Sequence, residues 1–271
     1  MNHLFFQLNK LKNALKNKFI FLFLDYDGTL TPIARSPDKA VISGKNIELL
    51  KSLSKLPRCR VAIVSGRASK DIKNKIGLEE LIYAGNHGLE INGPKIKFKS
   101  PVSPGYTRIL KKIKVILKKK LSGIRGAIVE DKGLTLSVHY RLVDTKDARI
   151  VKTVFHKALA YYVLNNKIKI RPGKKVLEIR PFLEWNKGKI VLWLLAALKL
   201  RIGKEPCFPV YIGDDTTDED AFVALKATGL TVFVGNPGNS HAKYYLKNTQ
   251  EVTAFLEQIL KIKTDEGICR D

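Results

Sequence analysis

Six consecutive apolar residues, Phe19 to Leu24, run into Asp25-Tyr26-Asp27-Gly28-Thr29 and predict a strand buried on both faces and closed by a glycine turn. The same alternation of patterns continues downstream. Gly44–Leu56 has helical spacing, Arg60–Val64 reads as a strand ending in Ser65-Gly66-Arg67, and Lys70–Lys75 reads as a short helix. Leu81–Ala84 reads as a strand ending in Gly85-Asn86-His87-Gly88. Strand and helix in alternation predict a parallel sheet with helices on both faces. At the N-terminus, Leu4, Phe5, Leu8, Leu11 and Leu15 interleave with Lys10, Lys12, Lys16 and Lys18, so an amphipathic helix is expected to lead into the first strand.

Near residue 100 the pattern changes, at a cluster of Gly93, Pro94, Pro101, Pro104 and Gly105. Tyr106–Leu121 is spaced as a basic amphipathic helix; Gly126–Val129 and Leu134–Tyr140 flank Asp131-Lys132-Gly133 as a hairpin. Asp147–Leu164 is expected as a second helix capped by Asp147, and Ile168–Arg171 with Lys175–Ile179 as a second hairpin around Pro172-Gly173. The order αββαββ suits a small antiparallel sheet with both helices on one face. Beyond Pro181 the earlier grammar resumes, with a helix at Lys189–Leu200, a strand at Phe208–Ile212, a helix at Glu219–Lys226, a strand at Leu230–Val234 and a helix at Val252–Ile262. The expected fold class is therefore α/β: a doubly wound, Rossmann-like parallel-sheet core formed by residues 1–100 and 183–271, interrupted by an inserted α+β cap over 101–182.

Composition adds limits. A chain of 271 residues has ample length for a real core, and its three cysteines, Cys59, Cys207 and Cys269, have neither disulfide-framework nor zinc-ligand spacing. They read as thiols of a reducing compartment. The longest wholly apolar helical stretch, Ile190 to Leu198, is half the length that a bilayer requires, and the N-terminus lacks the form of a signal peptide. A cytoplasmic protein without membrane association is expected. The net charge is +24, and residues 101–182 hold 20 Lys+Arg against 5 Asp+Glu, so +15 of it sits in the middle third. Such a region suits a nucleic-acid surface, a solvated lysine-rich face or a basic lid over anionic substrates. Basic stretches interleaved with stacking aromatics are missing, which argues against nucleic acid as a partner.

Chemistry concentrates at predicted strand ends. Asp25 and Asp27 lie two residues apart, where one carboxylate can attack phosphorus and the other can protonate a leaving oxygen. Asp214, Asp215, Asp218, Glu219 and Asp220 crowd five acids after a second apolar strand. Helix capping accounts for the last three; Asp214 and Asp215 fit better as part of an oxygen shell for a hard cation, Mg²⁺ where a phosphate shares the ligation. Ser65 can donate to a phosphoryl oxygen, although Ser-Gly-Arg is also a common turn. Lys187, in Trp185-Asn186-Lys187-Gly188, stands out among 49 basic residues because it opens a nearly all-apolar helix that must be buried.

Taken together, Asp25-x-Asp27-Gly28-Thr29, Ser65-Gly66-Arg67, Lys187 and Gly213-Asp214-Asp215-x-x-Asp218 resemble the four motifs of the haloacid dehalogenase superfamily. More narrowly, Gly85-Asn86-His87-Gly88-Leu89-Glu90, Arg171-Pro172-Gly173, Glu178-Ile179-Arg180-Pro181 and Trp185-Asn186-Lys187-Gly188 resemble the trehalose-6-phosphate phosphatases over nearly the whole chain. The resemblance implies hydrolysis of trehalose 6-phosphate through an aspartyl-phosphate, with Asp25 as nucleophile and Asp27 as general acid and base. It implies Mg²⁺ at Asp25, the Asp27 backbone carbonyl and Asp214, with Asp215 and Asp218 as further or outer ligands. Thr29, Ser65 and Lys187, with Gly66 and Arg67 beside Ser65, would hold the phosphoryl group. His87, Glu90, Arg171, Glu178 and Arg180 would face the sugar, and the insert would be a lid. From the residues alone, Glu178 fits a cross-strand ion pair with a lysine equally well, and His87 fits a turn residue at positive φ. A sibling phosphatase for sucrose phosphate or mannosyl-phosphoglycerate, a non-catalytic sugar-phosphate sensor and a basic nucleic-acid-binding protein are the alternatives. Transient contact with a trehalose-6-phosphate synthase is the one protein partner the resemblance suggests.

Overall fold

The computed structural model describes residues 1–268, so Cys269 lies outside the described residues. In chain order the elements are β1 (Asn2–His3), α1 (Leu8–Leu15), β2 (Phe19–Leu24), α2 (Gly44–Lys55), β3 (Cys59–Val64), α3 (Ser69–Ile76), β4 (Ile82–Gly85), β5 (Glu90–Gly93) and β6 (Ile96–Lys99). Then come α4 (Pro104–Leu121), β7 (Ile128–Asp131), β8 (Leu136–His139), α5 (Thr145–Leu164), β9 (Lys169–Gly173) and β10 (Val176–Arg180). The chain ends with α6 (Lys187–Ile202), β11 (Cys207–Gly213), α7 (Glu219–Leu225), β12 (Leu230–Val234), β13 (Tyr244–Leu246) and α8 (Thr249–Ile268). These elements form two compact units, one of residues 1–98 with 185–268 and one of residues 99–184.

The first unit is built on a nine-stranded sheet of order β1-β13-β12-β11-β2-β3-β4-β5-β6, parallel from β1 to β4. Its central strand shows why a six-residue apolar run was needed. Ile20, Leu22 and Leu24 join a core with Leu11, Leu50, Leu53 and Phe255 from α1, α2 and α8, while Phe19, Phe21 and Phe23 join a second core with Ile190, Leu194 and Phe222 from α6 and α7. Neither face of β2 meets water, and each fully buried side chain of this kind stabilises the fold by about 1.5–3 kcal/mol. The strand is thereby fixed in the middle of the sheet with its C-terminal tip at Asp25.

The second unit is a four-stranded antiparallel sheet of order β7-β8-β10-β9. Alternate residues Leu136, Val138, Leu177 and Ile179 pack against Leu110, Ile113 and Leu117 of α4 and Val151, Phe155 and Leu159 of α5. By the period of two along a strand, Ser137 and Glu178 face the other way. No helix among the described residues is long and apolar enough to cross a membrane.

Several details differ from the sequence pattern. The N-terminal segment is not one helix: Asn2 and His3 pair with Tyr244 and Tyr245 as an edge strand, Leu4–Gln7 is a 3-10 turn, and only Leu8–Leu15 is α-helical. His3 lies edge-on to the Tyr245 ring at 5.1 Å, and its Nε2 is 2.8 Å from Glu251 Oε2, long-range contacts that no local period encodes. Asp144, rather than Asp147, caps α5 by accepting the Lys146 N–H at 3.0 Å; Asp147 sits within the first turn. Helix α6 begins at Lys187, two residues earlier than its apolar period, because the Asn186 side chain accepts the Lys189 N–H at 2.9 Å. The short strands β5, β6 and β13 carry too few alternating residues to announce themselves.

Candidate active site

The C-terminal tips of adjacent strands bring the site together. β2 lies between β11 and β3, with Leu24 level with Ile212 and Ile63, so the residues that follow these strands emerge at one edge of the sheet. Asp25 follows β2, Ser65 follows β3 and Asp214 follows β11, and the Asp25 N–H donates to the Ile212 carbonyl at 2.9 Å. From the facing side, α6 starts at Lys187, whose ammonium donates to Asp25 Oδ1 at 2.9 Å and to Asp218 Oδ1 at 2.7 Å. Asp25, Asp214, Asp218 and Lys187 are all buried. Ionised groups survive burial only when paired and hydrogen-bonded, as Asp25, Asp218 and Lys187 are here.

Three hydrogen bonds hold Asp218. Its Oδ1 accepts from Lys187 and from the Tyr211 hydroxyl at 2.6 Å, and its Oδ2 accepts the Asp215 N–H at 2.9 Å. Gly213 makes room for it, since a Cβ there would sit 2.3 Å from the Asp218 carboxyl carbon. Asp215 turns aside, with Oδ1 accepting the Thr216 N–H at 2.8 Å. Gly28, at φ 87°, does for Asp214 what Gly213 does for Asp218: a Cβ would lie 2.3 Å from the Asp214 carboxyl carbon. A side chain at position 28 is excluded by backbone conformation and space together.

Carboxylate oxygens of Asp25, Asp214 and Asp218 lie within 4.8 Å of one another. Burial pushes the Asp25 carboxyl well above the usual carboxylate range; Lys187 pulls it down, and Asp218 and Asp214 push it up again. Burial also works against charge on Lys187, yet Asp218 and Asp25 outweigh it and hold the ammonium pKa above its ordinary value. One lysine does not neutralise three buried carboxylates. The excess of hard oxygen donors fits a divalent cation, which removes the repulsion.

Around this centre, Arg67 grips Asp27 with two hydrogen bonds, Nε to Oδ2 at 2.7 Å and Nη2 to Oδ1 at 2.8 Å. Its Nη1 reaches Asp71 Oδ2 at 3.0 Å, and the guanidinium lies over the Tyr26 ring at 5.4 Å. Ser65 is buried, with Oγ accepting the Arg67 N–H at 3.2 Å. Thr29 Oγ1 is buried with no hydrogen-bond partner among the described residues. His87 adopts φ 52°, the left-handed turn conformation, and packs so closely on Gly66 that a Cβ there would be 2.6 Å from its Nε2. Glu90 Oε1 accepts the Ser69 N–H at 2.7 Å and an Asn86 amide hydrogen at 2.9 Å, so this carboxylate secures the start of α3.

The trehalose-phosphatase family model matches residues 23–250. The chain belongs to the trehalose-phosphatase family. Probable trehalose-phosphate phosphatase 3 of Oryza sativa subsp. japonica is 37% identical over 275 residues, covering 94% of this chain and 74% of the relative. Trehalose-phosphate phosphatase B of Arabidopsis thaliana is 38% identical over 268 residues, covering 94% and 70%. Among solved structures, the C. albicans trehalose-6-phosphate phosphatase C-terminal domain superposes with a TM-score of 0.79 at 27% identity, covering 94% of this chain and 97% of that domain. Trehalose-phosphatases are phosphoric monoester hydrolases built on the haloacid dehalogenase fold, and the parallel-sheet core described above agrees with that class. Family membership implies a sugar-phosphate substrate and a divalent metal, and the buried acidic trio is able to hold one.

The second unit of this trehalose-phosphatase carries its own polar cluster. Glu178 is buried; its Oε1 accepts from Lys132 Nζ at 3.1 Å and from Ser137 Oγ at 3.5 Å, and its Oε2 accepts from Arg180 Nε at 2.5 Å. Arg171 is exposed and sits opposite Glu178 in the β9–β10 register. The cross-strand lysine pairing read as one option for Glu178 is therefore present in kind, with a turn lysine as partner. Lys132, Tyr211 and the Arg67–Asp27 pairing escaped the sequence reading. Lys132 stood only as the middle of a turn, and Tyr211 as one more apolar residue of a strand.

Proposed function

We propose that this protein hydrolyses trehalose 6-phosphate to trehalose and phosphate in the cytoplasm, using Mg²⁺ and an aspartyl-phosphate at Asp25. The observation that carries the reading is the Lys187 ammonium, buried between Asp25 at 2.9 Å and Asp218 at 2.7 Å beside Asp214. A cation in contact with a strand-tip carboxylate lowers the repulsion between that carboxylate and an incoming phosphate. An Asp25 carboxylate oxygen attacks phosphorus, the bond from phosphorus to the sugar oxygen breaks, and Asp27 delivers a proton to that oxygen. Asp27 then takes a proton from water as the water oxygen attacks the acyl-phosphate, and the Asp25 carboxylate leaves with its electron pair. Arg67, bonded to both Asp27 oxygens, orients the carboxylate that takes the proton from water, and Thr29 and Ser65 supply hydroxyl donors to the phosphoryl oxygens. Asp25, Asp214 and the Asp27 carbonyl would hold the Mg²⁺, which when bound neutralises phosphoryl charge. Asp218, whose Oδ1 accepts from Lys187 and Tyr211, would stand in the outer shell or serve as a further ligand.

The unit of residues 99–184 is assigned the lid, with Glu178, Arg180, Arg171 and Lys132 as sugar contacts, and His87 and Glu90 are assigned to the sugar as well. A buried carboxylate with flanking cations suits paired sugar hydroxyls, which donate and accept at once. Transient contact with a synthase is consistent with this role. Phosphate release measured on trehalose 6-phosphate, sucrose phosphate, mannosyl-phosphoglycerate and glucose 6-phosphate, with and without Mg²⁺, tests the assignment. Turnover is expected to be fastest on trehalose 6-phosphate and to vanish on chelation; equal rates on glucose 6-phosphate would exclude it. Glu178→Gln is expected to raise KM for trehalose 6-phosphate about ten-fold, the loss of one charge-assisted hydrogen bond, without changing turnover of p-nitrophenyl phosphate. An equal effect on both substrates would remove Glu178 from sugar recognition.

A further inference from the structure

We propose that Tyr211 is a positioning residue for phosphoryl transfer: its hydroxyl shares Asp218 Oδ1 with Lys187 and so keeps the ammonium astride Asp25 instead of collapsed onto Asp218. The inference rests on the reading of Asp25 and Lys187 given above and extends it to a residue that touches neither substrate nor metal. Tyr211 is fully buried in β11, level with Phe23 of β2. Its ring stacks on Phe23 at 6.4 Å and meets Phe222 edge-on at 5.7 Å, and the residues beside it on that sheet face are Phe21, Phe23, Ala62 and Val64. A phenylalanine would satisfy all of that packing. A buried hydroxyl is costly unless it is bonded, so the reason for one here lies in its partner, Asp218, at 2.6 Å.

What the bond does follows from who can move. Asp218 is held by the Asp215 N–H on one oxygen and backed against Gly213, so its carboxylate is fixed. Lys187 hangs on a flexible stem between two carboxylates that compete for one ammonium. A second donor on Asp218 Oδ1 takes up part of that oxygen's charge and weakens its pull on Lys187. The tyrosine thereby sets where the lysine's charge is felt.

Tyr211→Phe keeps the ring and deletes the hydroxyl. It is expected to lower kcat about ten-fold, with KM within about two-fold, on trehalose 6-phosphate and on p-nitrophenyl phosphate alike, because the effect sits at the phosphoryl group. In an Asp218→Asn background the same change is expected to cost less than about two-fold, since the bond it removes is already altered. An unchanged kcat in Tyr211→Phe, a rise in KM that matches the loss of kcat/KM, or an undiminished effect beside Asp218→Asn would each overturn the assignment. The split between kcat and KM is read on Tyr211→Phe alone, so it holds even where the Asp218 variant does not fold. Wild-type cleavage of p-nitrophenyl phosphate without cleavage of trehalose 6-phosphate would sink the sugar reading and leave the Tyr211 comparison standing.

Discussion

Replacing Asp25 by Asn is expected to stop phosphate release, lowering kcat by more than about 10⁴-fold, while the protein folds as before. The amide has the same shape, still accepts from Lys187 through its carbonyl oxygen, and has no carboxylate oxygen to attack phosphorus. The fold should not suffer, because the native carboxyl sits where burial raises its pKa well above the usual range. A carboxyl whose folded pKa is raised costs stability as pH rises above its unfolded value of about 3.9, and the neutral amide removes that cost. Without metal, the melting temperature of Asp25→Asn is therefore expected to equal or exceed that of the wild type. Phosphate release and a thermal melt followed by circular dichroism measure both. Retained turnover would remove Asp25 as nucleophile, and a large drop in melting temperature would mean that its charge stabilises the fold.

Lys187→Met should fail in the opposite way, losing stability along with activity. Methionine fills a similar volume and leaves Asp25 and Asp218 buried without their shared cation. Removing one partner of a buried ion pair costs about 3–5 kcal/mol. At this size that corresponds to a fall in melting temperature of about 10 °C. Turnover should fall by at least about 10²-fold through loss of a charge at the transferring phosphoryl. The sign with pH follows from the raised pKa of Lys187: burial opposes its charge, but Asp218 and Asp25 prevail. Stability from a group raised in this way is complete below the unfolded lysine value of about 10.4 and fades only as pH climbs toward the folded value. The gap between wild type and variant should thus be undiminished between pH 7 and 9. A gap that closes over that interval, or a variant as stable as wild type, would contradict the pairing.

How much of this was readable beforehand differs by kind of interaction. The strands Phe19–Leu24 and Leu230–Val234 were legible to the residue, because a strand buried on both faces is apolar or β-branched along its length and a turn marks its end. Asp25, Ser65 and Asp214 were legible as strand-end residues for the same reason, and Lys187 because a charge at the head of an apolar helix has no local explanation. Helix starts were less so: Asp144 and Asp147 are both sound caps on paper, and the choice between them rests on one backbone N–H. The N-terminal strand was not legible, since two residues on a sheet edge carry no period.

Tyr211 and Lys132 lay beyond the sequence for a different reason. Their neighbours along the chain are apolar or turn-forming, and their partners are met only in the folded chain, Asp218 where the loop after β11 turns back and Glu178 once β8 and β10 have paired. Asp27 likewise stood as a free carboxylate until β3 brought Arg67 across forty positions of sequence. What the sequence determined by itself was the set of periods and strand-end acids, hence a doubly wound sheet and a phosphoryl-transfer chemistry, because hydrophobic periodicity and turn chemistry are local properties. What only the tertiary structure decided was the pairing of charges: which carboxylate Lys187 shares, who satisfies Asp218, and which cations surround Glu178. Buried charge is tolerated only at hydrogen-bonding distance from its complement, and that distance exists only in the folded chain.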